Sequence, residues 1–351
     1  DTLVTVLLAL GFPIAIALAW ALELTPQGLR GEKSAEEAEA LAATKEMRTD
    51  SIAVLPFDNL SADPENEYFS DGVTEDIIAS IARIRGIRVL SRPSVLRYKG
   101  QRLPVEEIAK ELGVATLVTG SVRRSDGRLR IVVQVLDARD DSHLWSETYD
   151  RDLGDVFQVQ SEVAAHVAEA VRRELTSSEQ RSIAARGTLD PEAYDLYLRA
   201  RFLWNQRDVS AVSESVDFFR RAAERDPGFA LAHAGLADAY VILGIYGVRP
   251  PAEVYPTARD AASRALAIDP GLGEAVAAQA CVAAVYDWDW RAAEEQFRCA
   301  IDLTPSYATA HQWYGMNVLL PQARFTEALA ALDRALELDR MSPAIATGRG
   351  I

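Results

Sequence analysis

The residues best suited to nucleophilic, acid–base or metal chemistry in this 351-residue chain are two cysteines and four histidines, and their spacing supports none of these chemistries. Cys281 and Cys299 cannot build a four-sulfur zinc site, and they are expected on different helices, beyond the ~7 Å Cα separation a disulfide tolerates. His143, His166, His233 and His311 fall in no HExxH or HxH pattern. His143, near Trp145 and Asp150, reads as a strand residue rather than a general base, because no nucleophile is tied to it. The acids between 63 and 76 lack the DxDxDG alternation of a calcium loop. There is no GxxxxGKS/T, GxSxG or complete GxGxxG; Gly271 and Gly273 flank a turn, where glycine serves the bend. No catalytic residue, cofactor or metal site is therefore expected in these residues.

Charge narrows the partners. With 52 acidic against 37 basic residues the net charge is −15, which argues against nucleic acid, whose binding rests on cations neutralising phosphates. The charges are also blocked. Residues 58–76 carry seven acids (Asp58, Asp63, Glu65, Glu67, Asp71, Glu75, Asp76) and no cation, whereas residues 77–105 carry seven cations (Arg83, Arg85, Arg88, Arg92, Arg97, Lys99, Arg102) and no acid. The two segments are expected to face one another or solvent; a surface for an anionic partner is the alternative.

The elements that position these residues begin with a membrane segment. Residues 2–22 hold no charge and only Thr2 and Thr5 as polar side chains, and at ~1.5 Å per residue they make roughly 31 Å of helix, about a bilayer's hydrocarbon thickness. A transmembrane helix is predicted over 1–24, with Trp20 at an interface; a secretory signal ending near Ala17-Leu18-Ala19 is the alternative. Residues 23–50 carry four cations and seven acids, which predicts a single-pass inner-membrane protein with its folded domains on the extracytoplasmic, periplasmic side. Residues 25–50, rich in Ala and Glu, read as a linker. Starting at Asp1 and ending in an unfinished repeat, the chain reads as part of a longer protein.

Residues 51–176 predict an α/β domain, a few-stranded sheet with packed helices. Ile52 to Phe57 is a short apolar run of the kind that forms a buried strand, and Ile77, Ile78, Ile81 and Ile84 make the stripe of a helix. Residues 105–112 predict a short helix stopped by Gly113, followed by a strand over 115–122. Ser125-Asp126-Gly127 turns that strand into another, on which Leu129, Ile131, Val133 and Val135 alternate onto one face. Val156, Val159, Val163, Val167 and Val171 then step along one helical face.

Internal repeats organise residues 188–351. Pro227, Pro270, Pro305 and Pro343 recur at spacings of 43, 35 and 38, each just after a helix with a small–apolar–Ala pattern. The positions are Ser215, Phe219 and Ala222; Ala258, Ala262 and Ala265; Ala293, Phe297 and Ala300; Ala328, Leu332 and Ala335. Helix pairs built this way stack into an all-α solenoid of about four repeats whose first helices line a concave groove.

These blocks carry two resemblances. SIAVLPFDNLSADPENEYFSDGVTEDI (51–77), IRGIRVLSRPSVLRYKG (84–100), ELGVATLVTGSVRRSDGRLRIVVQVLDA (111–138) and HLWSETYDRDLGDVFQVQSEVA (143–164) resemble the TolB amino-terminal-like domain. Pro93, and Asp140-Asp141 in place of a Thr-Gly turn, depart from that pattern. Residues 188–351 resemble tetratricopeptide (TPR) repeats. Counting along the repeats places Arg199, Asp238, Cys281 and Met316, with Gln312 nearby, in a groove for a protein or peptide partner. The resemblance implies a non-enzymatic, membrane-anchored interaction or sensor module of a bacterial signalling or transcriptional regulator. The alternative is the regulatory arm of a class III adenylate or guanylate cyclase, a protein kinase or a winged-helix DNA-binding regulator, with the active domain upstream of Asp1.

Overall fold

The computed structural model describes residues 48–63, 66–101, 103–125, 127–171, 175–177, 179–180 and 187–349. The segment expected to span a membrane, and all of the expected linker before Arg48, lie outside the described residues.

The sheet is mixed. β1 (Arg48–Val54) lies between β3 (Arg88–Val89) and β4 (Val114–Ser125), parallel to both, and short β2 (Asp58–Asn59) also runs parallel to β4. β4, β5 (Arg128–Asp137) and β6 (Ser142–Asp152) form an antiparallel meander, giving the order β3-β1-β4-β5-β6. Asp141, in the last hairpin connection, takes the left-handed conformation at φ 56, a region that aspartate tolerates better than most residues.

Successive strand residues face opposite sides of a sheet, and this decides which helices cover which face. Ile52, Val54, Val118 and Val122 join one core with α1 (Glu67–Ala82) and α4 (Val156–Ala170). Ala53 and Leu117 join a second with α2 (Arg92–Leu96) and α3 (Val105–Leu112). Pro93 sits in the first turn of α2, where a missing N–H costs nothing. The predicted face of β5 is buried throughout, with Ile131, Val133 and Val135 fully inaccessible.

The remainder is helical. α5 (Pro191–Asn205) pairs with α6 (Val209–Arg225), α7 (Ala230–Ile245) with α8 (Pro251–Ile268), α9 (Gly273–Val285) with α10 (Trp290–Leu303), and α11 (Ala308–Tyr314) with α12 (Phe325–Leu338); α13 (Pro343–Arg349) comes last. Aspartates start several of these helices by accepting backbone hydrogen bonds: Asp190 from Glu192 and Ala193, Asp208 from Ala211, Asp289 from Ala292. All twelve small–apolar–Ala positions read from the sequence are buried between helices. α11 runs on through a wider π turn at Gly315–Leu319, closed by the Leu320 N–H donating to the Gly315 carbonyl at 2.9 Å. Residues 47–351 form one compact unit, and the first of the two sheet cores continues into the helix pairs.

The expected inner-membrane, extracytoplasmic placement is corrected here. No helix among the described residues is long and apolar enough to cross a membrane. The longest, α8, has 18 residues with charged side chains along it, and α7, the most apolar of the long ones, carries Asp238 in its interior.

Gly120 fixes how closely β4 approaches its neighbours. A Cβ there would lie 2.4 Å from the Val132 carbonyl oxygen and 2.7 Å from the Phe57 ring. Gly120→Ala is expected to destabilise the protein by about 1–3 kcal/mol, because backbone rather than a flexible side chain must yield. A chemical-denaturation midpoint unchanged from wild type would contradict this close approach.

Candidate functional site

Helix α1 carries the acidic block of the sequence, and the fold takes much of it out of water. Asp71 and Asp76 are buried and the Glu75 side chain nearly so. Buried carboxylates need partners. Asp71 finds them within the α/β domain: Arg92 at 2.8 Å and Lys99 at 2.5 Å, so the acidic and basic blocks do face one another here. Glu75 finds its partners on the helix pairs, and Asp76 both there and on α4. Glu75 is ion-paired with Arg201 and accepts from Asn205 Nδ2 at 2.6 Å. Asp76 accepts from the Tyr194 hydroxyl at 2.8 Å, Gln160 Nε2 at 3.1 Å and the Tyr197 hydroxyl at 3.4 Å.

The two carboxylates respond differently to burial. Desolvation would raise both, but at Glu75 the charges of Arg201 and Arg92 outweigh it and hold the group below its usual range. Asp76 has only neutral hydrogen-bond donors beside it, and burial pushes it up to about 7.

Further contacts tie the α/β domain to both ends of the helical array. At the start, Asp195 of α5 accepts from Tyr68 at 2.5 Å, Arg124 at 2.7 Å and Arg199 at 2.9 Å. A Cβ on Gly72 would lie 2.5 Å from Leu198, so α1 and α5 touch closely. At the far end, Ser306 Oγ donates to the Ile87 carbonyl at 3.2 Å and accepts from the Val89 N–H at 3.3 Å. The Arg88 guanidinium reaches the Glu337 carbonyl at 2.7 Å, and the Ser91 N–H donates to the Leu338 carbonyl at 2.9 Å. The basic block thus divides between Asp71 and the helical array.

Between these anchors a cavity of about 420 Å³ remains, walled by α1 and α2 on one side and by α5, α7 and the α11 π turn on the other. Such a volume suits a small organic molecule. Ile78, Ile242, Trp313 and Ile345 give it apolar walls; Arg201, Asn205 and Arg207 bring polar groups. Trp204 is 3% exposed, and the guanidinium carbons of Arg201 and Arg207 stand 4.7 and 3.6 Å from its ring centroid. A smaller space of about 70 Å³, lined by Asp76, Tyr197, Asp238 and Glu274 among others, lies beside it and shares Glu75, Arg201 and Glu274 with it.

The five residues expected in a groove separate. Gln312 and Met316 line the cavity. Asp238 lines the smaller space, accepts from the Tyr307 hydroxyl at 3.3 Å, and is pushed up to about 7 by burial. Cys281 is buried behind them, its Sγ accepting from Asn317 Nδ2 at 3.5 Å, and burial pushes its thiol up. Arg199 belongs to the Asp195 cluster, its guanidinium 4.5 Å over the Tyr68 ring, and is part of the contact between α1 and α5. Sequence reasoning missed Arg201, Trp204 and Arg207. Their signal is an R-x-x-W-x-x-R spacing that puts two cations beside one indole at the end of a helix.

The histidines have structural places. His233 and His311 occupy equivalent positions, each with Nε2 hydrogen-bonded to the carbonyl six residues back, Pro227 at 3.1 Å and Pro305 at 3.0 Å, and burial lowers both. His143 is exposed on β6, and His166 stacks on Trp145 at 4.5 Å. Both cysteines are free thiols, and no cluster of metal ligands occurs among the described residues.

No family model matches the chain. A curated protein of Rhizobium meliloti (strain 1021), named "Putative adenylate cyclase 3", is 46% identical over 187 residues, covering 53% of this chain and 32% of that protein. The chain therefore spans about a third of the length of this curated relative. Among solved structures, a thermophilic TPR protein of Thermus thermophilus is similar with a TM-score of 0.37 and 17% identity, covering 57% of this chain and 96% of that one. YrrB, a TPR protein with an unusual peptide-binding site, gives 0.29 at 21% identity, covering 44% and 73%. MamA gives 0.30 at 18%, covering 54% and 95%.

Because folding raises the Asp238 carboxyl to about 7 from an ordinary value near 4, its contribution favours the folded state at low pH and fades as pH rises through about 7. Asp238→Asn is expected to flatten the fall in stability between about pH 4 and pH 7, gaining on wild type by about 1 kcal/mol or more above that range. Parallel stability–pH curves for the two proteins would show that Asp238 is ionised throughout.

Proposed function

We propose that this chain is the regulatory recognition part of a larger bacterial signalling protein. In this reading a TPR-type helical array holds a TolB amino-terminal-like α/β domain, and together they act on a class III adenylate cyclase domain elsewhere in the same protein. The observation that carries the reading is the junction itself. Glu75, Asp76, Tyr68 and Arg124 of one part are satisfied by Arg201, Tyr194 and Asp195 of the other, so an event at either part alters the packing of both. The cyclase assignment draws on the relative named for that activity, most of whose length lies beyond the stretch this chain covers. The chain's own share is binding rather than bond-making. A protein or peptide partner would reach Gln312 and Met316 through the open part of the cavity or by displacing α1.

The test uses the full-length protein that contains this chain, with cyclic AMP formation from ATP and Mn²⁺ as readout. A Tyr68→Phe/Asp195→Asn pair loosens the junction where it is partly exposed, and melting curves confirm that the variant is folded. The cyclase rate is expected to change at least about threefold, while the isolated chain forms no cyclic AMP. No cyclase activity in the full-length protein, a rate indifferent to the loosened junction, or turnover by the isolated chain would each overturn the proposal.

A further inference from the structure

Three arginines line the 420 Å³ cavity, and they are not equivalent. Arg92 is paired with Asp71, and Arg201 with Glu75. Arg207 has neither an ion pair nor a side-chain hydrogen bond among the described residues; its guanidinium simply rests over Trp204. It also takes a costly backbone conformation, φ 59 at the turn closing α5, a position helices usually give to glycine or asparagine. Burial holds its guanidinium below the ordinary range, Tyr307 and Asp238 offsetting this only in part.

Two more donors in the same wall lack acceptors. Trp204 Nε1 and Arg201 Nε are buried without hydrogen-bond partners among the described residues. A buried donor left unsatisfied is expensive, and two of them beside the unpaired Arg207 guanidinium call for an acceptor-rich, negatively charged group. Elsewhere in the wall Glu274 Oε2 is buried with no donor among the described residues. The surfaces between are apolar, from Ile78, Ile242, Trp313 and Met316.

We propose that this cavity is a binding site for a small organic acid, a singly charged anion whose carboxylate meets Arg207 beside Trp204 and whose apolar body, bearing a hydrogen-bond donor, fills the space toward Glu274. Arg207 is the arginine of this wall without an ion pair among the described residues, so a single carboxylate is enough to meet it. A multiply charged phosphate would add negative charge beside the Glu75 and Glu274 carboxylates of the same wall. The site concerns what this chain itself binds and does not require the cyclase assignment to hold.

The experiment is calorimetric titration of the purified chain with indole-3-acetate and octanoate, with indole-3-acetamide as the neutral match. At least one acid is expected to bind, and indole-3-acetate at least about tenfold more tightly than its amide. Arg207→Gln should erase that preference, Arg207→Lys should keep part of it, and Met316→Trp, which fills the cavity, should abolish binding by all probes. Melting curves separate loss of the site from loss of the fold. The proposal is overturned if no acid binds, if the amide binds as well as the acid, or if Arg207→Gln or Met316→Trp binds like wild type while folded.

Discussion

Three carboxylates of one helix leave water together, and the rest of the architecture is arranged around that cost. Removing an ionised group from solvent is worth several kcal/mol unless charge or hydrogen bonds replace what the water supplied. α1 brings Asp71 and, one turn on, the adjacent Glu75 and Asp76 into the interior, and no single neighbour could satisfy all three. Asp71 uses the basic segment that comes next in sequence, Glu75 uses α5, and Asp76 uses α4 and α5 together. Only when the sheet, its covering helix and the first helix pair are all in place is α1 electrostatically complete. Sheet and helical array are therefore one cooperative body.

Much of this body was legible because the local signals agree with one another. Helices α5, α6 and α10 begin where an aspartate precedes the apolar periodicity, and the small–apolar–Ala positions are buried because Ala and Ser there let backbones approach. The hairpin of β4 and β5 was evident from alternation around a turn. β6 showed only in the reading of His143 as a strand residue. It is an edge strand with most side chains exposed, so the alternation that betrays a half-buried strand is missing and only Tyr149 marks its inner face.

The site was legible in part. Gln312 and Met316, named from repeat phase, line the cavity. Arg199 has the same phase, but the neighbouring α1 meets that turn of α5, and Asp195 and Tyr68 hold its guanidinium. What periodicity cannot show is what fills the inner face. Here it is α1, and the cavity exists only because α1 and α2 close over α5, α7 and α11. Arg207 escaped notice because it lies outside the helical pattern, in the turn after α5.

The π turn in α11 adds a topographic consequence. A helix with one residue more per turn over a single stretch has absorbed an insertion without passing it on, so α12 stays in phase with the earlier hairpins. The surplus residue bulges at the level of Met316 and Asn317, both on the cavity wall. Excising one residue there would leave an ordinary helix of normal pitch, with α12 and α13 keeping their phase relative to everything preceding it. The wall's contour is thus a local edit to an otherwise regular spiral, and it could be erased or rewritten in evolution without disturbing the repeats on either side.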